Sequence, residues 1–344
     1  MIVADVSPRR ALVAGGAGFL GSHLCDALLA QGWAVTCLDN LQTGRPANLA
    51  HLADHPQFDF VRGDITEPLA PAITGEPWDE IYNLACAASP PAYQRDPEHT
   101  MMTSVAGTQQ LLRLAERTGA RFLLTSTSEV YGDPLQHPQV ESYRGNVNPI
   151  GPRACYDEGK RAAEALAFDF DRGGRAVVRV ARIFNTYGPR LDPRDGRVIS
   201  NLLNQALAGE ALTVFGDGEQ TRSFCYVDDL VRGLLALMRH EGPQPGPVNL
   251  GNPNELTVAE LARRIATLMG GSQRIVHRPL PIDDPHRRKP DIALATRLLG
   301  WTPRVDLHAG LSATLDWFAR EAAGHRPVPD PTVIPVAAAP ALAR

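Results

Sequence analysis

Arg10-Ala11-Leu12-Val13-Ala14-Gly15-Gly16-Ala17-Gly18-Phe19-Leu20-Gly21 decides the fold of this chain. An apolar run that reads as a buried strand leads straight into glycines spaced three apart, at Gly15, Gly18 and Gly21. A helical pattern follows through Leu24, Leu28 and Leu29. A second apolar run, Ala34-Val35-Thr36-Cys37-Leu38, then ends at Asp39-Asn40. Strand, glycine turn, helix, strand and acid predict a βαβ unit that binds a dinucleotide. The glycines allow a tight turn, a close approach of backbone to pyrophosphate and close packing of helix on strand, and the helix amino terminus faces the phosphates. Asp39 lies about 20 residues on, where a carboxylate binds the adenosine ribose hydroxyls. It would repel a 2′-phosphate, so the expected cofactor is NAD rather than NADP.

Further apolar runs follow at 58–61, 81–85, 122–125 and 176–180, with helix-like segments such as 107–117 between them. This alternation predicts an α/β fold, a Rossmann-type doubly wound parallel sheet with helices on both faces. After Gly188 the texture changes. Loops rich in Pro, Gly and Asp alternate with short helices (199–208, 228–238, 258–268) and short strands (212–215, 248–250), the pattern of a smaller mixed subdomain over the carboxyl ends of the sheet. The expected division is a cofactor domain at 1–188, a substrate-binding subdomain at 189–323 and a disordered Pro/Ala-rich tail at 324–344.

The 344 residues are 44% hydrophobic and 21% charged, an ordinary soluble composition. A formal net charge of −4 without a long Lys/Arg run argues against a nucleic-acid partner. Cys25, Cys37, Cys86, Cys155 and Cys225 show neither a Cys-x-x-Cys pair nor zinc-like spacing, so no metal is expected and the thiols read as buried and reduced. No apolar stretch reaches the ~18–20 residues that span a bilayer, and the first ten residues are too short and polar for a signal peptide. The expectation is a cytoplasmic enzyme without a membrane anchor.

Two further stretches carry chemistry. In Cys155-Tyr156-Asp157-Glu158-Gly159-Lys160, a helix puts Tyr156 and Lys160 on one face, one turn apart. A phenol acts as a general base near neutral pH if a cation lowers its pKa from about 10, and Lys160 is placed to do so. Leu124-Thr125-Ser126-Thr127-Ser128-Glu129 follows an apolar strand, at the edge of the sheet where substrates sit. By register Thr127 can hold the hydroxyl that Tyr156 deprotonates, and Glu129 is a potential acid or base. Asp64-Ile65, after the third strand, suits either the adenine edge or a plain turn.

The glycine motif, the Ser/Thr strand end and Tyr-x-x-x-Lys in this order resemble the extended short-chain dehydrogenase/reductase superfamily. The likeness narrows over nearly the whole chain to the UDP-glucuronate decarboxylase (UDP-xylose synthase) family. It is carried by 127–134, by 145–153 and by Arg182-Ile183-Phe184-Asn185-Thr186-Tyr187-Gly188-Pro189-Arg190. Asp195-Gly196-Arg197-Val198, Gln220-Thr221-Arg222-Ser223-Phe224 and Arg288-Lys289-Pro290-Asp291-Ile292 complete it. Asn83, Ala87, Arg144 and Asp228 stand where that family usually has His, Pro, Trp and Ser, the first two near the expected nicotinamide side.

The resemblance implies NAD-dependent oxidation of UDP-glucuronate at C4, loss of CO2 from the resulting β-keto acid, and re-reduction to UDP-xylose. It implies roles for Tyr156, Lys160 and Thr127 at C4, and for Glu129 and Arg288, with Ser128 beside them, at decarboxylation. Cofactor contacts extend to Phe19, Leu20, Asn40, Thr43, Gly44, Leu84 and Ala85. Substrate contacts fall on Asn185, Val198, Arg222 at the diphosphate, and the backbone around Thr213 and Phe215 at the uracil. A homodimer is implied, pairing the helix of Tyr156 and Lys160 with the one near 103–117. The alternatives are a decarboxylase that releases the 4-keto pentose with NADH, a 4,6-dehydratase (expected to carry Asp-Glu after the threonine, against Ser128-Glu129 here), a 4-epimerase, and a non-catalytic NAD-binding sensor or scaffold.

Overall fold

The computed structural model describes residues 8–243, 245–271, 273–279 and 287–324; of the expected tail, 325–344 lie outside them. Seven parallel strands form the central sheet: β1 (Arg10–Ala14), β2 (Ala34–Asp39), β3 (Phe58–Arg62), β4 (Glu80–Asn83), β5 (Arg121–Thr127), β6 (Val177–Ile183) and β7 (Val248–Leu250). Their order is β7-β6-β5-β4-β1-β2-β3, so the winding reverses between β1 and β4. Ligand crevices open outside the strand ends at such a reversal.

Alternation along β1 shows why these residues make this layer. Ala11 and Val13 face one apolar cluster, and Leu12 and Ala14 face the other, all of them fully buried. A strand apolar on both faces must be covered on both. On one side lie α1 (Phe19–Leu29), with Leu24, Cys25 and Leu28, and the helix Val227–Met238. On the other lie α2 (Thr108–Thr118) and α3 (Ala154–Arg172).

On α3 the buried residues Tyr156, Lys160, Ala163, Ala167 and Phe170 recur at spacings of four and three, one stripe of a helix. The stripe that docks the helix on the sheet therefore also carries the Tyr-x-x-x-Lys pair inward.

A third cluster, including Leu202, Leu212, Val214, Leu261, Ile265, Leu311 and Phe318, forms the core of the smaller mixed part. Two elements read from sequence with that part belong to the main sheet instead. Val248–Leu250 pairs with β6, and Val227–Met238 packs on α1. A three-residue strand carries too little pattern to reveal its partner. All five cysteines are free thiols, with Cys25, Cys37 and Cys225 buried and Cys86 and Cys155 half-buried. Among the described residues no helix is long and apolar enough to cross a membrane.

Candidate active site

One cavity of ≈ 1200 Å³ runs along the carboxyl ends of the strands, and every site residue expected from the sequence lines it. At one end sits the glycine turn. Gly15 holds φ +80°, and a Cβ there would lie 2.7 Å from the Leu84 carbonyl carbon and 2.8 Å from the Ala85 nitrogen. A Cβ on Gly21 would sit 2.1 Å from the Gly15 carbonyl oxygen, so α1 meets β1 only because that side chain is missing. The first-turn N–H groups of α1, at Phe19 and Leu20, have no partner within the helix and open on the cavity.

Asp39 ends β2 and accepts the N–H of Leu41 (2.8 Å) and of Ala17 (2.9 Å), which folds residues 40–44 over it. Gly44 lies so close that a Cβ would meet the Asp39 carboxylate at 2.6 Å. Burial pushes the Asp39 carboxyl up from its usual range. Arg45 closes this loop, donating its N–H to Ala17 and pairing its guanidinium with Glu321 on the last helix, Leu307–Ala322.

Asp64 holds Asn40 (2.7 Å) and His99 (2.9 Å) on one oxygen and Thr66 on the other. Burial works to raise it, yet these hydrogen bonds prevail and hold it down at about 2. Free helix-start donors, a backbone cradle that any side chain would fill and a carboxylate for vicinal hydroxyls together fit a dinucleotide.

At the centre, Lys160 Nζ donates to the Thr125 carbonyl (2.9 Å) and stands 5.9 Å from the Tyr156 ring centre. Tyr93 stacks on Tyr156, with centroids 5.0 Å apart and planes 3° apart. The sequence suggested a phenol lowered by Lys160, but among the protein's own groups the balance runs the other way. Burial, then Cys86, pushes Tyr156 up, the Thr127 hydroxyl and Arg197 pull it down, and burial lowers Lys160. Both groups are enclosed, and neither charged form is favoured without a further charge beside it.

Beside them Glu129 is gripped by guanidinium groups. Arg288 meets it through two bonds, Nη1–Oε1 2.6 Å and Nη2–Oε2 2.7 Å, and Arg153 reaches Oε2 at 2.8 Å. Burial alone would raise Glu129, but Arg288, then Arg153 and Arg222, hold it below its usual range. It is therefore a carboxylate, and Arg288 faces it rather than open solvent. Asp157, next on the helix, is pushed up to about 7 by burial and by Glu129, and its Oδ1 is buried without a partner.

Toward the smaller part, Asn185, Val198, Thr213, Phe215 and Arg222 line the rest of the cavity. Of the backbone around Thr213 and Phe215, the Thr213 N–H donates to Gln205 Oε1 (2.8 Å). Arg153, Asp157, Arg197 and Tyr93 were not singled out from the sequence. Arg153 and Arg197 lie within the strings that carried the family likeness, the one signal that pointed near them. Asn83 turns its side chain to Thr108 (3.0 Å) and does not line the cavity, whereas Ala87 does.

Residues 11–251 match the NAD dependent epimerase/dehydratase family. The chain is 55% identical to UDP-glucuronic acid decarboxylase 2 of Arabidopsis thaliana over 92% of its own length and 69% of that protein's. It is 52% identical to UDP-glucuronic acid decarboxylase 1 of Xenopus tropicalis over 91% and 73%. Among solved structures it resembles the UDP-glucuronic acid 4-epimerase of Bacillus cereus in complex with UDP-glucuronic acid and NAD, with a TM-score of 0.82, 29% identity, and coverage of 91% and 99%. These matches place the chain: it belongs to the NAD dependent epimerase/dehydratase family, and within it to the UDP-glucuronic acid decarboxylases.

Proposed function

We propose that this protein is an NAD-dependent carboxy-lyase that converts UDP-glucuronate to UDP-xylose. The observation that carries the reading is Glu129 held by Arg153 and Arg288 beside Tyr156, Lys160 and Thr127, in one cavity with the glycine cradle. Oxidation and re-reduction at C4 need the second group alone. An anion-binding cluster next to it suits a substrate whose C6 carboxylate must be held and then lost.

Bound NAD supplies a transient oxidation at the sugar C4 and its later reversal, and its positive ring favours a phenolate nearby. The glycine turn and the start of α1 would hold its phosphates, Asp39 its ribose, and Asp64 with Ile65 its adenine edge. Tyr156 takes the proton from the C4 hydroxyl and later returns it, and Thr127 orients that hydroxyl. Lys160, fixed by the Thr125 carbonyl, adds a positive charge that favours the phenolate. Once C4 is a ketone, the C6 carboxylate is β to it, so the C5–C6 pair can pass into an enolate as CO2 leaves. Arg288, steadied by Glu129 with Ser128 beside it, supplies charge where that anion develops. A proton from solvent added at C5 gives the 4-keto pentose, and reduction at C4, with Tyr156 returning its proton to that oxygen, gives the xylose. Arg222 would take the diphosphate through its fork of donors, and Asn185, Val198, Thr213 and Phe215 would flank the rest of the nucleotide sugar.

Purified protein incubated with NAD and UDP-glucuronate tests this, with nucleotide sugars followed by mass and NMR and reduced cofactor by absorbance. UDP-xylose without net reduced cofactor is expected. A 4-keto pentose with stoichiometric reduced cofactor means that the final return of hydride is lost, and an unconsumed uronate rejects the reading.

Three finer features belong to the same proposal. The enzyme works in the cytoplasm. It pairs as a homodimer through α3 and the segment 103–117, next to which Met101 and Met102 are exposed. The division at residue 188 separates cofactor from substrate binding, with 227–251 returning to the cofactor side.

A further inference from the structure

Arg288 lies in a stretch, 287–291, that has neither helix nor strand of its own. Its position must therefore come from what it is tied to. Gln139 makes three of the ties. Its N–H donates to the Lys289 carbonyl (2.9 Å), its carbonyl accepts the Asp291 N–H (2.8 Å), and its side-chain Oε1 accepts the Lys289 N–H (2.8 Å). Asn249 on β7 makes one more, with Nδ2 donating to the Asp291 carbonyl (3.1 Å), and it also donates to the Gln139 carbonyl (3.0 Å). Both amides are buried, at 1% and 0% exposure. Asn249 Oδ1 accepts the Tyr131 hydroxyl (2.7 Å), which accepts from Arg182 (3.0 Å), which is bidentate on Glu164 of α3. An unbroken chain of bonds thus runs from the helix of Tyr156 and Lys160 to Lys289 and Asp291, just beyond Arg288 in the chain.

We propose that Gln139 and Asn249 are the positioning residues that set Arg288 against Glu129, in register with the Tyr156 dyad. This rests on the decarboxylase reading of the site. Buried amides at these positions are costly unless every polar group is paired. Gln139 Nε2 is paired with the Gln136 carbonyl (2.9 Å), while Gln139 Oε1 and Asn249 Nδ2 reach the segment whose one enclosed charge is Arg288. A displacement of about 1 Å at a catalytic group can cost on the order of 100-fold in rate. C4 oxidation uses Tyr156, Lys160 and Thr127, whose supports do not include Gln139, so the two half-steps respond differently.

The test follows CO2 release and reduced-cofactor absorbance in single turnover with NAD and UDP-glucuronate. Gln139→Met removes the acceptor for Lys289 at similar size, and Asn249→Asp removes both donors while keeping the acceptor for Tyr131. In both, CO2 release is expected to fall about 10- to 100-fold while C4 oxidation stays within about threefold, so that reduced cofactor accumulates. Gln139→Glu keeps an acceptor for Lys289 while losing the donor to the Gln136 carbonyl, and is expected to release CO2 at least about threefold faster than Gln139→Met. Oxidation and CO2 release falling together, or neither changing in any variant, overturns the positioning role. An unaltered protein inert toward UDP-glucuronate overturns the decarboxylase reading and this proposal with it, a result distinct from an active enzyme whose variants keep the two rates in step.

Discussion

The rings of Tyr93 and Tyr156 lie face to face, 5.0 Å apart and 3° from parallel, and the Tyr93 hydroxyl is buried without a partner. A stack of this kind fixes the plane of the Tyr156 ring. An unpaired buried hydroxyl costs about 1–3 kcal/mol, so Tyr93→Phe is expected to raise the melting temperature of the ligand-free protein. Tyr93→Ala is expected to lower stability by about 3–5 kcal/mol, as other aromatic truncations in cores do. Denaturant unfolding of the three proteins checks both signs.

Arg288→Ala leaves Glu129 with Arg153 and, on the proposed mechanism, removes the charge that would face the enolate. Turnover of UDP-glucuronate is expected to fall about 100- to 1,000-fold, with reduced cofactor accumulating. Arg288→Lys is expected to recover little, because an ammonium cannot reproduce the two-point contact with Glu129. Coupled CO2 and absorbance assays distinguish these outcomes from loss of cofactor binding.

Asp39→Ala is expected to weaken NAD binding at least about tenfold. The change removes a charged acceptor from two backbone N–H groups as well as from the ribose, and each such bond is worth about 1.5–3 kcal/mol. Titration calorimetry with NAD and NADP should also show the preference between them narrowing.

Two carboxyls give opposite pH signatures. Asp157 is raised to about 7 in the folded protein, so the folded state holds the proton more tightly than the unfolded chain. Its contribution therefore falls as pH rises from about 4 to about 7, and Asp157→Asn should raise the melting temperature more at pH 8 than at pH 5. Asp64, held at about 2, contributes stability above the ordinary carboxylate range that is lost as pH falls toward 2. Asp64→Asn should destabilise near neutral pH and make little difference at pH 2.

Gly21→Ala places a methyl group 2.1 Å from the Gly15 carbonyl oxygen, backbone that cannot swing aside. The helix must retreat from the strand. A loss of about 1–3 kcal/mol is expected, together with loss of NAD binding, read by unfolding curves with and without cofactor.

What the sequence revealed divides along one physical line. The glycine turn, Asp39, Tyr156 and Lys160 were legible because their geometry is local, set by a turn or by one helical repeat. Glu129 and Arg288, 159 residues apart, could be joined only by resemblance, since no periodicity links them. The Tyr-x-x-x-Lys spacing showed which groups are neighbours but not their burial, which pushes Tyr156 up and Lys160 down. Arg153 and Asp157 escaped notice for a related reason: their roles arise from Glu129, which folding alone brings alongside. β7 was misplaced because three residues cannot show which sheet they join.

The pairing of Arg45 with Glu321 joins the loop over the glycine cradle to the last helix, 276 positions further along the chain. Synthesis runs from the amino terminus, so β1, the glycine turn and Asp39 precede the helix Leu307–Ala322 that completes this clasp. A chain cut before Glu321 would keep those elements and lose the guanidinium–carboxylate tie that fastens Arg45 and its loop to that helix.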